Sequence, residues 1–289
     1  MMEPSAVLRV ADRVLRHYWY SPPLALWRSI EAAAVTTLDV SSFARPILDL
    51  GCGDGAFAQH VFPSAVEVGV DLSARALNRA QDGRMYRAVL MANAGELPFA
   101  SESMGTVFSN SSLEHMDGIA MVLREVERLL RHGGALVFTV PTEELSSLLF
   151  GTTFTQRFGL RRSAKWYAAR KNAAKYHTNL HGSDWWQREL GLVGLQVKSV
   201  IGYLGPSAVR LWDLLDVANV GIGRCHVSGL VRRLSQSFVN GSSSYAVTRF
   251  VATSLRPLVH SEIALMLENG AAGSPYVAMG AALIVAVKP

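Results

Sequence analysis

Three glycines on alternate positions constrain this chain more than any other feature. Residues Leu48 to Phe57 read Leu-Asp-Leu-Gly-Cys-Gly-Asp-Gly-Ala-Phe. Apolar Ile47, Leu48 and Leu50 suit a buried strand, and the short apolar run from Ala56 suits a helix. Glycine has no Cβ, so such a turn can take strained dihedrals and let a ligand lie against the backbone. An acidic strand end follows 20 residues past Gly51, at Asp71 in Val68-Gly69-Val70-Asp71-Leu72. A carboxylate there is placed to accept hydrogen bonds from ribose hydroxyls. Strand, glycine turn, helix, strand and acid together predict a nucleoside-cofactor site.

Gly51-Cys52-Gly53-Asp54-Gly55-Ala56 also satisfies the dinucleotide pattern G-x-G-x-x-G/A. A dinucleotide needs a helix N-terminus aimed at its pyrophosphate, and Asp54 at that helix start would repel the dianion. S-adenosylmethionine has no phosphate and carries a sulfonium and an ammonium, so Asp49 and Asp54 are compatible with it. The Asp-x-Gly-x-Gly-x-Gly arrangement from Asp49 to Gly55 resembles motif I of the class I methyltransferases.

The downstream order extends the resemblance. Tyr86 to Ala92 reads as a third strand, followed by Asn93-Ala94-Gly95-Glu96-Leu97-Pro98-Phe99. Met104 to Asn110 reads as a fourth, followed by Ser111-Ser112-Leu113-Glu114-His115. Asp117 to Arg131 spaces Ile119, Val122, Leu123, Val126, Leu129 and Leu130 as one helical face. His132-Gly133-Gly134 is expected to stop that helix, and Ala135 to Val140 forms a fifth strand. The Leu-Pro-Phe, Leu-Glu-His and Leu-Arg-x-Gly-Gly blocks, in this order, are similar to those of the type 11 group of S-adenosylmethionine methyltransferases. The resemblance covers about Pro46 to Pro141 well, and residues 180–204 and the last ten weakly.

It implies an α/β fold: a Rossmann-like, mostly parallel sheet of seven strands, with helices on both faces and the last strand antiparallel. It also implies S-adenosylmethionine as the cofactor, with Asp49, Gly51, Cys52 and Gly53 around the methionine part. Asp71 and Leu72 then fall at the ribose, Asn93 and Ala94 at the adenine, and Asn110 at the end of the fourth strand. Asn93 stands where the family usually has an adenine-binding Asp; its amide oxygen keeps acceptor capacity.

Composition bounds the rest. The chain of 289 residues is 49% hydrophobic and 18% charged, with a formal charge of +5. Basic residues are scattered, with short clusters at Arg161-Arg162 and Arg232-Arg233, so no phosphate-tracking run points to nucleic acid. Glu3, Arg9, Asp12 and Arg13 interrupt the apolar core a signal peptide needs, and no uncharged stretch reaches the ~18 apolar residues of a membrane span. Two cysteines, Cys52 and Cys225, support neither a disulfide framework nor a zinc site. A cytoplasmic protein is expected, with peripheral contact at a membrane as the alternative.

The organisation expected is a helical N-terminal extension over residues 1–44 and a cofactor-binding core over 45–204 with an aromatic, helical cap segment at 142–179. A helical insertion follows over 205–279, and the last core strand lies in 280–289. In the insertion, helices are expected at Ser207 to Val217, Val227 to Phe238, Tyr245 to Leu255 and His260 to Glu268. The insertion reads as a lid or wall over a substrate pocket, as a surface resting on a membrane, or as packing only.

Methyl transfer is an in-line displacement, so the protein must align the nucleophile, exclude water and, for a hydroxyl, accept a proton. His115, just past the fourth strand, is at the sheet edge where ligands bind in open α/β folds. It is the first catalytic candidate, with loop bracing as the equal alternative. Tyr176, His177, Asn179, His181 and Trp185 form a cluster expected to wall the acceptor pocket, with His177 and His181 as further catalytic candidates and no metal expected. Tyr18, Trp19 and Tyr20 read as an aromatic flap or as packing. The expected acceptor is a small or lipid-like metabolite. Two other classes stay open: a non-catalytic S-adenosylmethionine-binding protein, and an NAD(P)-dependent oxidoreductase suggested by the Tyr-x-x-x-Lys spacing of Tyr167 and Lys171.

Overall fold

Seven apolar segments pair into a single sheet in the computed structural model, which describes residues 3–175, 177–219, 242–271 and 279–289. They are β1 (Ile47–Leu50), β2 (Val66–Asp71), β3 (Tyr86–Met91), β4 (Met104–Asn110), β5 (Leu130–Pro141), β6 (Gln196–Tyr203) and β7 (Ala281–Val287). The strand order is β3-β2-β1-β4-β5-β7-β6. β1 pairs parallel with β2 and β4, in registers Leu48↔Val68 and Leu48↔Val107. β7 is antiparallel to both β5 and β6, as the resemblance implies. Every residue of β1 is buried, the near-continuous apolar pattern of a strand covered on both faces.

Period-two alternation splits the core. Phe108 and Val137 face one layer while Val107, Leu136 and Phe138 face the other. The second layer is covered by α5 (Ile119–Leu129) and α9 (Ser183–Leu192). Beneath the first lie α1 (Pro4–His17), α2 (Pro22–Thr36) and α3 (Ala56–Val61). α1 buries Val7, Val10, Ala11, Val14 and Leu15, one face at helical spacing. The alanine run Ala32–Ala34 of α2 is fully buried, leaving room for close backbone approach. α4 (Ala74–Asp82) follows β2, starting where the Ser73 hydroxyl accepts from the Ala76 amide.

Three short helices follow β5: α6 (Glu144–Leu148), α7 (Phe150–Arg157) and α8 (Arg161–Ala174). Past β6 come α10 (Pro206–Asn219) and α11 (Ser242–Ala271). Both pack on the N-terminal helices. Trp212 of α10 meets Trp27 of α2 with ring centroids 5.2 Å apart. His260 and Arg256 of α11 bind Asp12 of α1 at 3.0 and 2.8 Å.

Two expectations are corrected. α5 ends at Leu129, because Leu130 already pairs with Met104; the ladder then shifts register, and Gly133 turns the chain at φ 75°. The stretches expected as separate helices at 245–255 and 260–268 are one helix, α11, with Pro257 inside it. The helix expected over 227–238, together with Tyr176 and Cys225, lies outside the described residues.

Candidate active site

A first cavity, of about 310 Å³, opens at the carboxyl ends of β1 and β2. Gly51 forms its floor at φ 76°, where a Cβ would stand 1.8 Å from the Ser112 hydroxyl oxygen. Only glycine satisfies both the dihedral and the space. Asp71 lines the cavity and orders the turn: Oδ2 accepts from the Gly53 amide at 2.9 Å and Oδ1 from the Ser73 amide at 2.8 Å. Leu72 (71% exposed) offers an uncovered apolar flank beside it. Asn93 and Ala94 form the far wall, with the Asn93 Oδ1 accepting from the Gly95 amide at 3.0 Å and keeping one lone pair.

Four expected contacts lie outside this lining. Asp49 is buried and accepts from the Tyr86 hydroxyl at 2.6 Å. Burial pushes its carboxyl up to about 7, against the Tyr86 hydrogen bond and with repulsion from Asp71. The Cys52 thiol sits above Gly69, where an added Cβ would come within 2.9 Å of Sγ. Gly53 is tied to Asp71 through its amide, and Asn110 is held in a separate buried network.

The centre of that network is Glu31 of α2, fully buried and bound by five partners. Arg28 pairs with Oε2 at 2.5 Å, and the Ser111, Thr139 and Tyr203 hydroxyls donate to Oε1 at 2.5, 3.1 and 2.8 Å. The Asn110 amide donates to Oε2 at 3.3 Å. Burial opposes the charge, but Arg28 and these donors outweigh it and hold the Glu31 carboxyl below its ordinary range. Ser111 is held at φ 44°, a costly conformation for a residue with a Cβ. Its hydroxyl on Glu31 and its amide on Thr139 fix it there. The network thus fastens the N-terminal helices to the ends of β4, β5 and β6.

The second cavity, of about 410 Å³, has an apolar wall of Pro23, Leu24, Trp27 and Trp212. Its polar groups are Arg28, Glu114, His115, Lys175, His177 and Asp216. His115 lines both cavities. Its ring lies 5.5 Å from that of His177, and its Nε2 is 3.7 Å from Glu114 Oε1. Glu114 is 2% exposed with no hydrogen-bond partner at Oε2. Burial pushes its carboxyl up to about 8, helped by repulsion from Glu31, so it is protonated at neutral pH. Burial, with repulsion from His115 and Lys175, pushes His177 down to about 4 and keeps it neutral; its Nδ1 is also unpartnered.

Asn179 clamps this turn by donating to the Leu113 and Met116 carbonyls at 2.9 and 2.7 Å. His181 is elsewhere, stacked on Trp185 at 3.7 Å and lining neither cavity. Tyr18, Trp19 and Tyr20 line neither cavity, and Tyr18 is core. The Tyr167 hydroxyl and Lys171 both bind Asp213, at 2.9 and 2.7 Å, which uses up the Tyr-x-x-x-Lys pair structurally. Nothing in the sequence marks Arg28 or Glu31 as site residues, and Trp212 reads there only as an apolar anchor of the 205–279 insertion. Only Glu114 carried a usable signal, as the middle residue of the Leu-Glu-His block.

Residues 48–138 match the family model described as a methyltransferase domain, type 11. The chain therefore carries a class I S-adenosylmethionine-dependent methyltransferase domain, and S-adenosylmethionine is its cofactor. The bare backbone at Gly51, the Asp71 carboxylate in the cavity wall and a helix start bearing Asp54 fit that phosphate-free nucleoside. The chain is 36% identical over 101 residues to a malonyl-[acyl-carrier protein] O-methyltransferase of Legionella pneumophila, 33% of this chain and 36% of that one. It is 35% identical over 178 residues, 57% of each chain, to an uncharacterized protein of Mycobacterium tuberculosis. These matches span a third to somewhat over half of the relatives' length. A Thermotoga maritima S-adenosylmethionine-dependent methyltransferase shares the fold at TM-score 0.53 and 16% identity, over 98% of this chain and 100% of that one. So does a [4+2]-cyclase, at TM-score 0.52 and 16% identity, over 89% and 80%.

Proposed function

We propose that this protein transfers a methyl group to an oxygen of a small, lipid-like acceptor held in the second cavity. The observation that carries the reading is His115, which borders the cofactor cavity and the second cavity at once. The volume of about 410 Å³ and a mostly apolar wall with a few convergent polar groups suit a small molecule. Two relatives named as malonyl-[acyl-carrier protein] O-methyltransferases support oxygen as the receiving atom.

S-adenosylmethionine supplies a methyl carbon already activated by its sulfonium. Gly51, Asp71, Leu72, Asn93 and Ala94 hold the cofactor in the first cavity. Trp27 and Trp212 exclude water around the acceptor. Arg28, which shares the Glu31 carboxylate with Ser111, orients an acceptor oxygen while Glu31 keeps its guanidinium fixed. His115 aligns that oxygen and takes its proton when the acceptor is a hydroxyl. Glu114, protonated and packed behind His115, positions the ring; His177 supplies a neutral imidazole beside it.

The test is metabolite profiling of a strain lacking the protein, searching for species lighter by one methyl group. A demethylated apolar metabolite supports the reading; a missing methyl on RNA or protein overturns it. The second reading, a binding or non-methylating protein on this fold, is favoured by the [4+2]-cyclase neighbour. Cofactor binding without label transfer would select it.

A further inference from the structure

The segment between Glu144 and Asp184 contains seven Lys and Arg and not one Asp or Glu. That exceeds the formal +5 of the whole chain, so the remainder is on balance acidic. The segment holds α7 and α8, which form a helical hairpin. Its base is fixed: Asp213 of α10, 1% exposed, accepts from the Gly151 amide of α7 and from Tyr167 and Lys171 of α8. Lys175 is paired in the same way with Asp216.

The tip is different. Residues 156–163 are all exposed, eight in a row, and include Phe158 (64%) and Leu160 (54%). Phe150, Phe154 and Phe158 make an aromatic ladder along α7, with centroids 5.7 and 5.0 Å apart, and grow more exposed toward the tip. Trp166 is 64% exposed on α8. Arg157, Arg161, Arg162 and Lys165 are interspersed with these rings in sequence, and among the described residues none of the four forms an ion pair; the Arg170 guanidinium lies 5.6 Å from the Trp166 ring centroid. A water-facing helix pair has no reason to leave aromatic rings uncovered beside unpaired cations.

The geometry points to the α7–α8 hairpin as the protein's docking surface for an anionic phospholipid membrane. Phenylalanine, leucine and tryptophan enter the headgroup–acyl boundary while arginine and lysine meet anionic headgroups. Charge complementarity selects the anionic surface, since no carboxylate on the hairpin opposes it. The ladder selects a bilayer over an acidic protein, because it offers rings along a protruding edge and no pocket for a partner's side chain. α8 continues from this tip to Ala174 and Lys175 in the wall of the second cavity, so a docked hairpin brings that cavity to the membrane surface. No described helix is long and apolar enough to cross a bilayer, so the attachment is interfacial.

The assay is co-sedimentation of the full chain with phosphatidylcholine vesicles, with and without 30% phosphatidylglycerol, at two salt concentrations. It reads no turnover, so its outcome is separate from that of the methyl-transfer proposal. Pelleting with the anionic vesicles, falling at high salt, is expected. Each neutralised arginine should weaken partition about fivefold, so R161Q/R162Q should lose roughly 25-fold. F158S/L160S should also lose most of the partition. All four positions are exposed, so unchanged melting and S-adenosylhomocysteine binding should accompany the loss. Failure to pellet with anionic vesicles overturns the proposal, and so does equal pelleting by both double variants. Capture of an acidic carrier protein by a chain that ignores vesicles would also overturn it.

Discussion

Glu114→Gln isolates the most unusual charge in the site. The side chain is 2% exposed, and its carboxyl is raised from 4.5 to about 8, chiefly by burial. The sign follows from linkage. Above pH 4.5 the unfolded chain releases this proton while the folded protein keeps it until about pH 8, so the group makes stability fall as pH rises through that window. The penalty is on the order of 1 kcal/mol at pH 5 and roughly 4 kcal/mol at pH 8. Glutamine keeps the shape and never ionises, so the variant should escape it. With ~2.1 cal/mol/K of unfolding entropy per residue, the 289 residues give ~0.6 kcal/mol/K. The Tm advantage of the variant should therefore grow by about 5 °C between pH 5 and pH 8. Taking the difference between the two proteins cancels Glu31 and Asp49, which titrate in both. Differential scanning calorimetry across that range is the assay. A pH-independent difference, or a variant less stable at pH 8, would refute the assignment of a buried, protonated carboxyl.

Further perturbations test the rest of the site. His115→Ala should lower turnover at saturating cofactor by ~10²–10⁴, and equal turnover would end its role as base. Asp71→Ala removes two backbone hydrogen bonds and the proposed ribose acceptor, so S-adenosylhomocysteine affinity should fall by ~1.5–3 kcal/mol; calorimetric titration reads this directly. Glu31→Gln strands Arg28 and should cost ~3–5 kcal/mol of stability. Because the Glu31 carboxyl lies below its ordinary range, its contribution is present above about pH 4.5 and is lost as pH falls through the folded value. Acid titration of wild type and variant should converge at low pH; parallel curves would contradict the network.

The parts of this molecule legible in the sequence were those whose cause is local. The glycine turn, Asp71 at the next strand end and the apolar face of α5 each declare themselves within a dozen or so residues. The antiparallel β7 came from resemblance, since nothing in Ala281–Val287 itself sets its direction. What stayed hidden depends on distant pairing. Glu31 looked like one acid in a helix, because its partners Ser111, Thr139 and Tyr203 come 80, 108 and 172 residues later. The second cavity is walled by α2, the turn after β4, α8 and α10, and no window of sequence contains two of these together. His177 and His181 looked equivalent four residues apart, yet one faces the cavity and the other stacks on Trp185.

The central claim is methyl transfer across the junction at His115, and one experiment addresses it most directly. Purified protein is incubated with S-adenosylmethionine labelled at the methyl group and a lipid-soluble metabolite extract of the source cells, and products are resolved by chromatography. The account predicts label in a discrete small apolar species, formed by wild type and strongly reduced for His115→Ala. Tight S-adenosylhomocysteine binding with no label leaving the cofactor would contradict it.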